Sequence, residues 1–376
     1  MRMECYCYRP RCWRRVAVTL VSLVCVTNAQ NTASFTDLVA KATQARETND
    51  IAQSISLYQQ ALALNPKWSD GWWYLGLLEY QTNQYAQARD ALANYLQTNP
   101  DAGPALALRG LCEFHTEDFG QSLKDIQHGL ILGAANQPRN ARILRYHEAV
   151  LLAYSGKFEE ALSRYAYFAK AGISDPDVLL ATGLAGLRIA MLPSKVPPED
   201  QDFIAAVGQA AWTFMKGDQD GAQLAFQKLF QRFPTAAGLH YLYGFLLYPE
   251  DPGAAIVQFK QELDRFPTNS LASAMLAWAY LMRNEPSSAL PFAQKAAEEA
   301  PSQAISLLVL GRALVDTGAI RDGIASLQKA LVLEPDNLEI HIALAKAYSE
   351  SGRRDDARRE RQWCLRATSG MQHENP

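Results

Sequence analysis

Pro335, Pro301 and Pro267 stand 34 residues apart in succession, and Pro66 and Pro100 repeat the same step near the other end of the chain. A fixed period of this length constrains a fold more than composition does. Each period is one supersecondary unit whose apolar face only its neighbours can cover. The stretch from Ala304 to Asn337 displays the unit. Leu307, Leu310, Leu314 and Val315 share one face of a helix, and Gly318 stands where a helix ends in the left-handed conformation that glycine adopts without steric cost. Ile324, Leu327, Ala330 and Leu331 write a second apolar stripe, and Pro335 closes the pair. Two antiparallel helices of this length cannot bury both faces against each other, so the spacing predicts a stack of such pairs.

The helix-ending position recurs at Asn49, Asn83, Asn284, Gly318 and Gly352, the residue types that a left-handed cap selects. Small residues recur within the first helix, at Gly76, Gly110, Gly183, Gly244 and Gly311, and on the second, at Ala88, Ala161, Ala222 and Ala289. They let the two helices of a pair approach closely. No stretch sustains the period-two alternation of strands. The pattern resembles the tetratricopeptide repeat family. Trp72, Leu75-Gly76, Ala88, Leu92 and Pro100 match one unit, Leu307, Leu310-Gly311, Leu314, Leu327, Ala330 and Pro335 another, and Gly156 to Leu162 match the turn into the second helix. The resemblance implies an all-α fold, a right-handed superhelical solenoid of antiparallel helix pairs, exported and of bacterial type. Units are expected at 35–68, 69–102, 103–136, 142–175, 203–236, 237–269, 270–303, 304–337 and 338–371. The motif residues are structural, so they specify fold and not function.

Two segments depart from the pattern. Residues 176–202 hold one first-helix-like stretch, Val178 to Met191, and then Pro193, Pro197 and Pro198 in place of a second helix. They read as a truncated repeat or linker between an N-terminal array, 30–175, and a C-terminal array, 203–371, with a break or bend there. The last unit fills its second helix with charge, from Arg353 to Arg361, as a terminal repeat needs to keep its unpartnered face soluble. Residues 372–376 are expected to be a disordered tail.

Residues 1–29 fall outside the repeats. Arg9, Arg11, Arg14 and Arg15 precede an apolar run of eleven residues, Val16 to Val26, and then Thr27-Asn28-Ala29. This is the layout of a secretory signal cleaved near Ala29, the run being too short to span a bilayer. An uncleaved anchor, or a lipoprotein signal at Cys25, is the other reading of the same segment. The expected location is periplasmic or extracellular, and a signal at one end with a cap at the other is what a complete chain would carry. Cleavage would leave 31 basic and 38 acidic residues, a net charge of −7, which argues against nucleic acid as a partner. It would also leave only Cys112 and Cys364, too far apart in the array to bridge.

No metal-ligand, nucleophile or phosphate-loop motif follows the signal, and the histidines fall singly along the helices or in the tail. Neither a catalytic residue, a metal nor a cofactor is called for. Cys112 and His115 share a helix three residues apart, but a packed thiol explains Cys112 equally. The informative feature is a second apolar stripe on the first helices. The fourth, eighth and eleventh positions of each unit face its second helix, while the fifth, ninth and twelfth lie about 100° around. The family resemblance assigns these latter positions to the concave groove. They read Trp73, Leu77 and Tyr80; Ala107, Leu111 and Phe114; Tyr146, Val150 and Ala153; Tyr241, Phe245 and Tyr248; Ala274, Trp278 and Leu281. Either they bury one another between adjacent units, or they line a groove for a partner. Carboxylate-clamping relatives use basic and amide residues here, and only Arg312 and Lys346 are of that kind. The sequence therefore predicts an exported, non-catalytic scaffold that binds a protein or peptide through Trp73, Leu77, Tyr80, Leu111, Phe114, Tyr146, Tyr241, Phe245, Tyr248 and Trp278. Carriage of an apolar small molecule or lipid, or an enzyme site assembled across repeats, are its rivals.

Overall fold

A computed structural model of the chain describes residues 34–136 and 138–372. The expected signal segment and the last four residues of the expected tail lie outside them; Gln372 is the last residue of a helix. Among the described residues there are nineteen α-helices and no strand.

The described chain forms two compact units, divided between Asn65 and Pro66. The first is a single hairpin of α1 (Phe35–Glu47) and α2 (Ile51–Leu64). Ser34 caps α1 by accepting from the Asp37 backbone N–H, and Asp50 caps α2 in the same way from Gln53. Asn49 takes the left-handed turn at φ 59°. Ala42, Tyr58 and Ala61 are fully buried, and Ser54 Oγ donates across to the Ala42 carbonyl at 3.1 Å.

The second unit repeats this design. Its hairpins are α3 (Ser69–Gln81) with α4 (Tyr85–Thr98), α5 (Gly103–His115) with α6 (Phe119–Ile131), and α7 (Pro138–Tyr154) with α8 (Phe158–Lys170). After α9 (Pro176–Gly186), α10 (Pro198–Met215) and α11 (Gln219–Arg232) come α12 (Leu239–Leu247) with α13 (Pro252–Arg265), α14 (Ser270–Met282) with α15 (Pro286–Glu299), α16 (Ala304–Asp316) with α17 (Ile320–Leu333), and α18 (Leu338–Glu350) with α19 (Arg354–Gln372). Second helices also pack on the next first helix, as α4 does on α5 and α17 on α18, so the stack closes each open face in turn. The left-handed turn is held by Asn83, Asn284, Gly318 and Gly352, as their spacing predicts. Glu117 and Arg188 hold it too, at φ 63° and 59°, although side chains disfavour that region.

Residues 176–202, read from the sequence as a truncated repeat or linker, hold α9 and a short 3-10 helix. α9 packs along α10 about as extensively as the hairpin pairs pack. The prolines form a short 3-10 helix, Pro193–Lys195, and then start α10, a first-turn position where the missing N–H costs nothing. α10 is long enough to serve twice, against α9 and against α11. Gly183 and Gly208 make the first contact: a Cβ on Gly183 would overlap the Ile204 carbonyl oxygen, and one on Gly208 the Leu179 carbonyl oxygen. One buried core runs from Ala149 through Val178, Ala185, Val207 and Phe226 to Leu242.

At the C-terminal end His341 fastens the charged helix. Its Nδ1 meets Glu360 at 2.5 Å, its Nε2 meets the Pro335 carbonyl at 2.8 Å, and Trp363 stacks on its ring at 3.5 Å. α19 carries exposed Arg354, Arg358, Arg359 and Arg361, while Ala357 is fully buried. The helix thus keeps one apolar contact line and leaves its other faces to water.

Candidate functional site

Within the second unit, a cavity of about 980 Å³ is lined by residues from six places in the stack. Tyr241, Phe245 and Tyr248 come from α12 and its C-terminal end; Leu271, Met275 and Trp278 come from α14. The start of α8 contributes Glu159 and Glu160, the turn after α9 contributes Arg188, and α16 contributes Ile305 and Leu308. The α17–α18 turn closes the ring with Glu334, Asp336 and Glu339.

The aromatic wall follows from helix geometry. Tyr241 and Phe245 are one helical turn apart, with ring centroids 6.3 Å apart, and Phe245 meets Tyr248 at 5.4 Å. Gly244 beside them is small because Phe259 of α13 packs there, 2.8 Å from where a Cβ would stand. Tyr241 is buried, and its Oη makes no hydrogen bond among the described residues. Burial pushes its phenol well above the ordinary tyrosine range, against the lowering effect of Arg188. Burial raises the Tyr248 hydroxyl as well, reinforced by the charges of Glu159 and Glu339. Trp278 carries the Arg312 guanidinium over its ring at 4.5 Å, and Lys346 is engaged by Asp316 at 2.6 Å.

Arg188 organises one rim. It pairs with Glu159, lies over the Phe158 ring at 4.7 Å and reaches over Tyr241 at 5.9 Å. Its left-handed backbone turns the chain at the end of α9.

The ten residues of the apolar stripe divide. Tyr241, Phe245, Tyr248 and Trp278 come together on the cavity. The other six do not line it. Leu111 is buried at 7 % exposure, in the core with Leu144 and Leu151. Trp73 packs against Tyr95 at 5.4 Å, and Tyr80 against Tyr85 at 5.7 Å. Phe114 meets the Phe119 ring at 5.7 Å and the His147 ring at 4.7 Å. Tyr146 packs on the core that runs to Leu242, and its hydroxyl is pushed up to about 12, by burial first and then by Asp177. Leu77 is half-buried.

The motif reading missed the polar members of the rim. Arg188, Glu334, Asp336 and Glu339 sit in turns or next to them, where a repeat consensus carries no instruction. It also missed a buried ionic group in the α5–α6 hairpin. Arg109 occupies the position that Leu75 fills one period earlier, and it pairs with Asp125 and lies 3.7 Å from Glu113. Both carboxylates are 5 % exposed at the side chain. Burial, then Asp125, raise Glu113 to about 7 despite Arg109. Among the described residues, no group of three or more His, Cys, Asp or Glu is arranged to hold a metal ion. No described helix is long and apolar enough to cross a membrane.

Stacked helix hairpins with a small-residue crossing in each define a helical-repeat protein of the interaction-scaffold class. Two tetratricopeptide repeat models match the chain, one at residues 39–102, 75–127 and 246–304, the other at 314–360. The chain is a tetratricopeptide repeat protein. No curated protein matches it. Among solved structures, it is similar to a crystal structure of MamA, with 23 % identity and a TM-score of 0.38 over 43 % of this chain and 95 % of that one. It is similar to MamA from Desulfovibrio magneticus RS-1, with 20 % identity and a TM-score of 0.38 over 46 % and 96 %. It is also similar to YrrB, described as a tetratricopeptide repeat protein with an unusual peptide-binding site, with 17 % identity and a TM-score of 0.37 over 46 % and 89 %.

Proposed function

We propose that this chain is an exported, non-catalytic scaffold that binds a protein or peptide segment in the aromatic-walled cavity between α8, α12, α14 and the α17–α18 turn. The observation that carries the reading is the convergence of Phe245, Tyr248 and Trp278, all half-buried, on one open cavity. Aromatic side chains left partly in water forgo burial worth about 1.5–3 kcal/mol each, and a few such residues typically dominate a binding interface. The carboxylates of the rim are exposed, a setting for charge recognition, whereas acid–base catalysis draws on buried, perturbed groups. The signal-like segment supports export, and the net negative charge its removal would leave argues against nucleic acid as a partner.

A second reading, carriage of an apolar small molecule, is favoured by the volume alone, which lies at the upper end of the ordinary ligand-pocket range. The two separate in one experiment. The protein is used to capture partners from its native envelope fraction, beside Phe245→Ala and Trp278→Ala, with a melting curve for each and native mass spectrometry of the purified protein. A protein captured by the wild type and lost by both variants, at unchanged melting, supports the scaffold. A co-purified lipid displaced by the same substitutions overturns it.

A further inference from the structure

The charges around the cavity are unbalanced in a way that specifies the partner's chemistry. Seven charged residues line it: Glu159, Glu160, Glu334, Asp336 and Glu339 against Lys157 and Arg188. Both cations are already spent. Lys157 pairs with Glu160 at 3.3 Å, and Arg188 with Glu159 while lying over the Phe158 ring. Glu334, Asp336 and Glu339 remain, and among the described residues none of the three has an ion pair. Among the described residues, Glu334 accepts only from the Asn337 amide at 2.7 Å, and Glu339 lies in the first turn of α18, where a helix N-terminus favours negative charge. All three are exposed. They stand beside an aromatic surface that tolerates a guanidinium, since Arg312 lies over Trp278 at 4.5 Å. Arg312 and Lys346 line a smaller pocket together with Glu339, so Glu334 and Asp336 are the two of these three carboxylates outside that pocket. Their field reaches that surface: Glu339 helps hold the Tyr248 hydroxyl above its ordinary range.

We infer that the occupant is a cationic peptide segment, with Lys or Arg flanking one or two apolar anchors. The inference rests on the scaffold reading above and sharpens it. The apolar side chains fill the space between Phe245, Tyr248 and Trp278, and the basic ones meet the α17–α18 turn. A neutral occupant would cover the three carboxylates without compensating their lost hydration. An acidic one would add repulsion to that cost.

The test uses three fluorescent peptides of equal length with the same Leu and Phe anchors, flanked by Lys and Arg, by Ser and Asn, or by Asp and Glu. Binding to the full chain is read by anisotropy at low and high salt, for the wild type and for the Glu334→Gln, Asp336→Asn, Glu339→Gln triple variant. The basic peptide should bind tightest and weaken with salt. The triple variant should lose about tenfold of that affinity, the sum of three modest exposed pairs, at unchanged melting temperature. If the neutral or acidic peptide binds as well as the basic one, or the triple variant loses nothing, the inference fails while the scaffold reading stands. If no peptide binds, both fail. Sedimentation covers the remaining occupant: assembly of the wild type that the triple variant abolishes would assign the rim to the Arg-rich α19 of a second copy, and would overturn the proposal.

Discussion

Gly183→Ala tests the packing on which the second unit depends. In an exposed helix interior, alanine is favoured over glycine by about 1 kcal/mol. Here the new Cβ would overlap the Ile204 carbonyl oxygen and stand 2.8 Å from the Ile204 carbonyl carbon. No rotamer change relieves a clash with backbone, so α9 and α10 must separate. Overpacking of this kind costs about 1–3 kcal/mol. Separation also loosens Val178, Ala181, Ile204 and Val207, none more than 4 % exposed, which places the cost at the upper end. The net expectation is a destabilisation of about 2 kcal/mol. Two glycines calibrate it. Gly76→Ala meets the Leu92 side chain, with Cγ 2.8 Å away, which can shift, so its cost should nearly cancel the propensity gain. Gly120→Ala meets nothing within 4 Å and should be neutral or stabilising, by up to about 1 kcal/mol. Stacked repeats need not unfold in one step, so urea titration by circular dichroism is paired with hydrogen exchange of α9 and α10. If Gly183→Ala matches or exceeds the wild type in both, the close crossing is not a constraint and the reasoning is refuted.

Three further outcomes are expected. The unfolded Glu113 carboxyl titrates at about 4.3 and the folded one at about 7, so the folded state binds more protons between these values. Stability should therefore fall as pH rises across that window, by on the order of 3–4 kcal/mol; Glu113→Gln should flatten the decline, and an unchanged slope in denaturation against pH would count against it. Glu117→Gly should raise stability by about 1 kcal/mol in urea titration, because glycine adopts the left-handed turn at φ 63° without the side-chain penalty. Cys112 is fully buried, and burial, with Glu113, pushes its thiol up to about 12; in peptide mapping after iodoacetamide it should stay unlabelled until the protein unfolds, while half-exposed Cys364 reacts first.

The repeat was legible because its residues answer to local physics. Asn49, Asn83, Gly318 and Gly352 are the types a left-handed turn selects, and they hold it. Glu117 was not legible there, since its residue type gives no sign of the conformation. The second service of α10 was hidden for a related reason: Gly208 lies off the repeat register, and only a partner helix reveals why a small residue is needed. The apolar stripe was visible as a stripe. Periodicity cannot distinguish Leu111, buried against Leu144, from Phe245, facing the cavity, because both satisfy the same spacing. That difference comes from which hairpins curve around open space, a property of the stack and not of one helix. Likewise Leu75 is buried, but Leu310 at the same place in its unit is half-buried.

The central claim is that a partner segment enters the cavity. Photo-crosslinking tests it most directly, with a benzophenone side chain replacing Tyr248 in one variant and Tyr167, exposed on α8 outside the cavity lining, in another. In the presence of a captured partner, the position at Tyr248 should crosslink to a single basic segment of it, and the position at Tyr167 should not. Crosslinking at Tyr167 with none at Tyr248 would contradict the account.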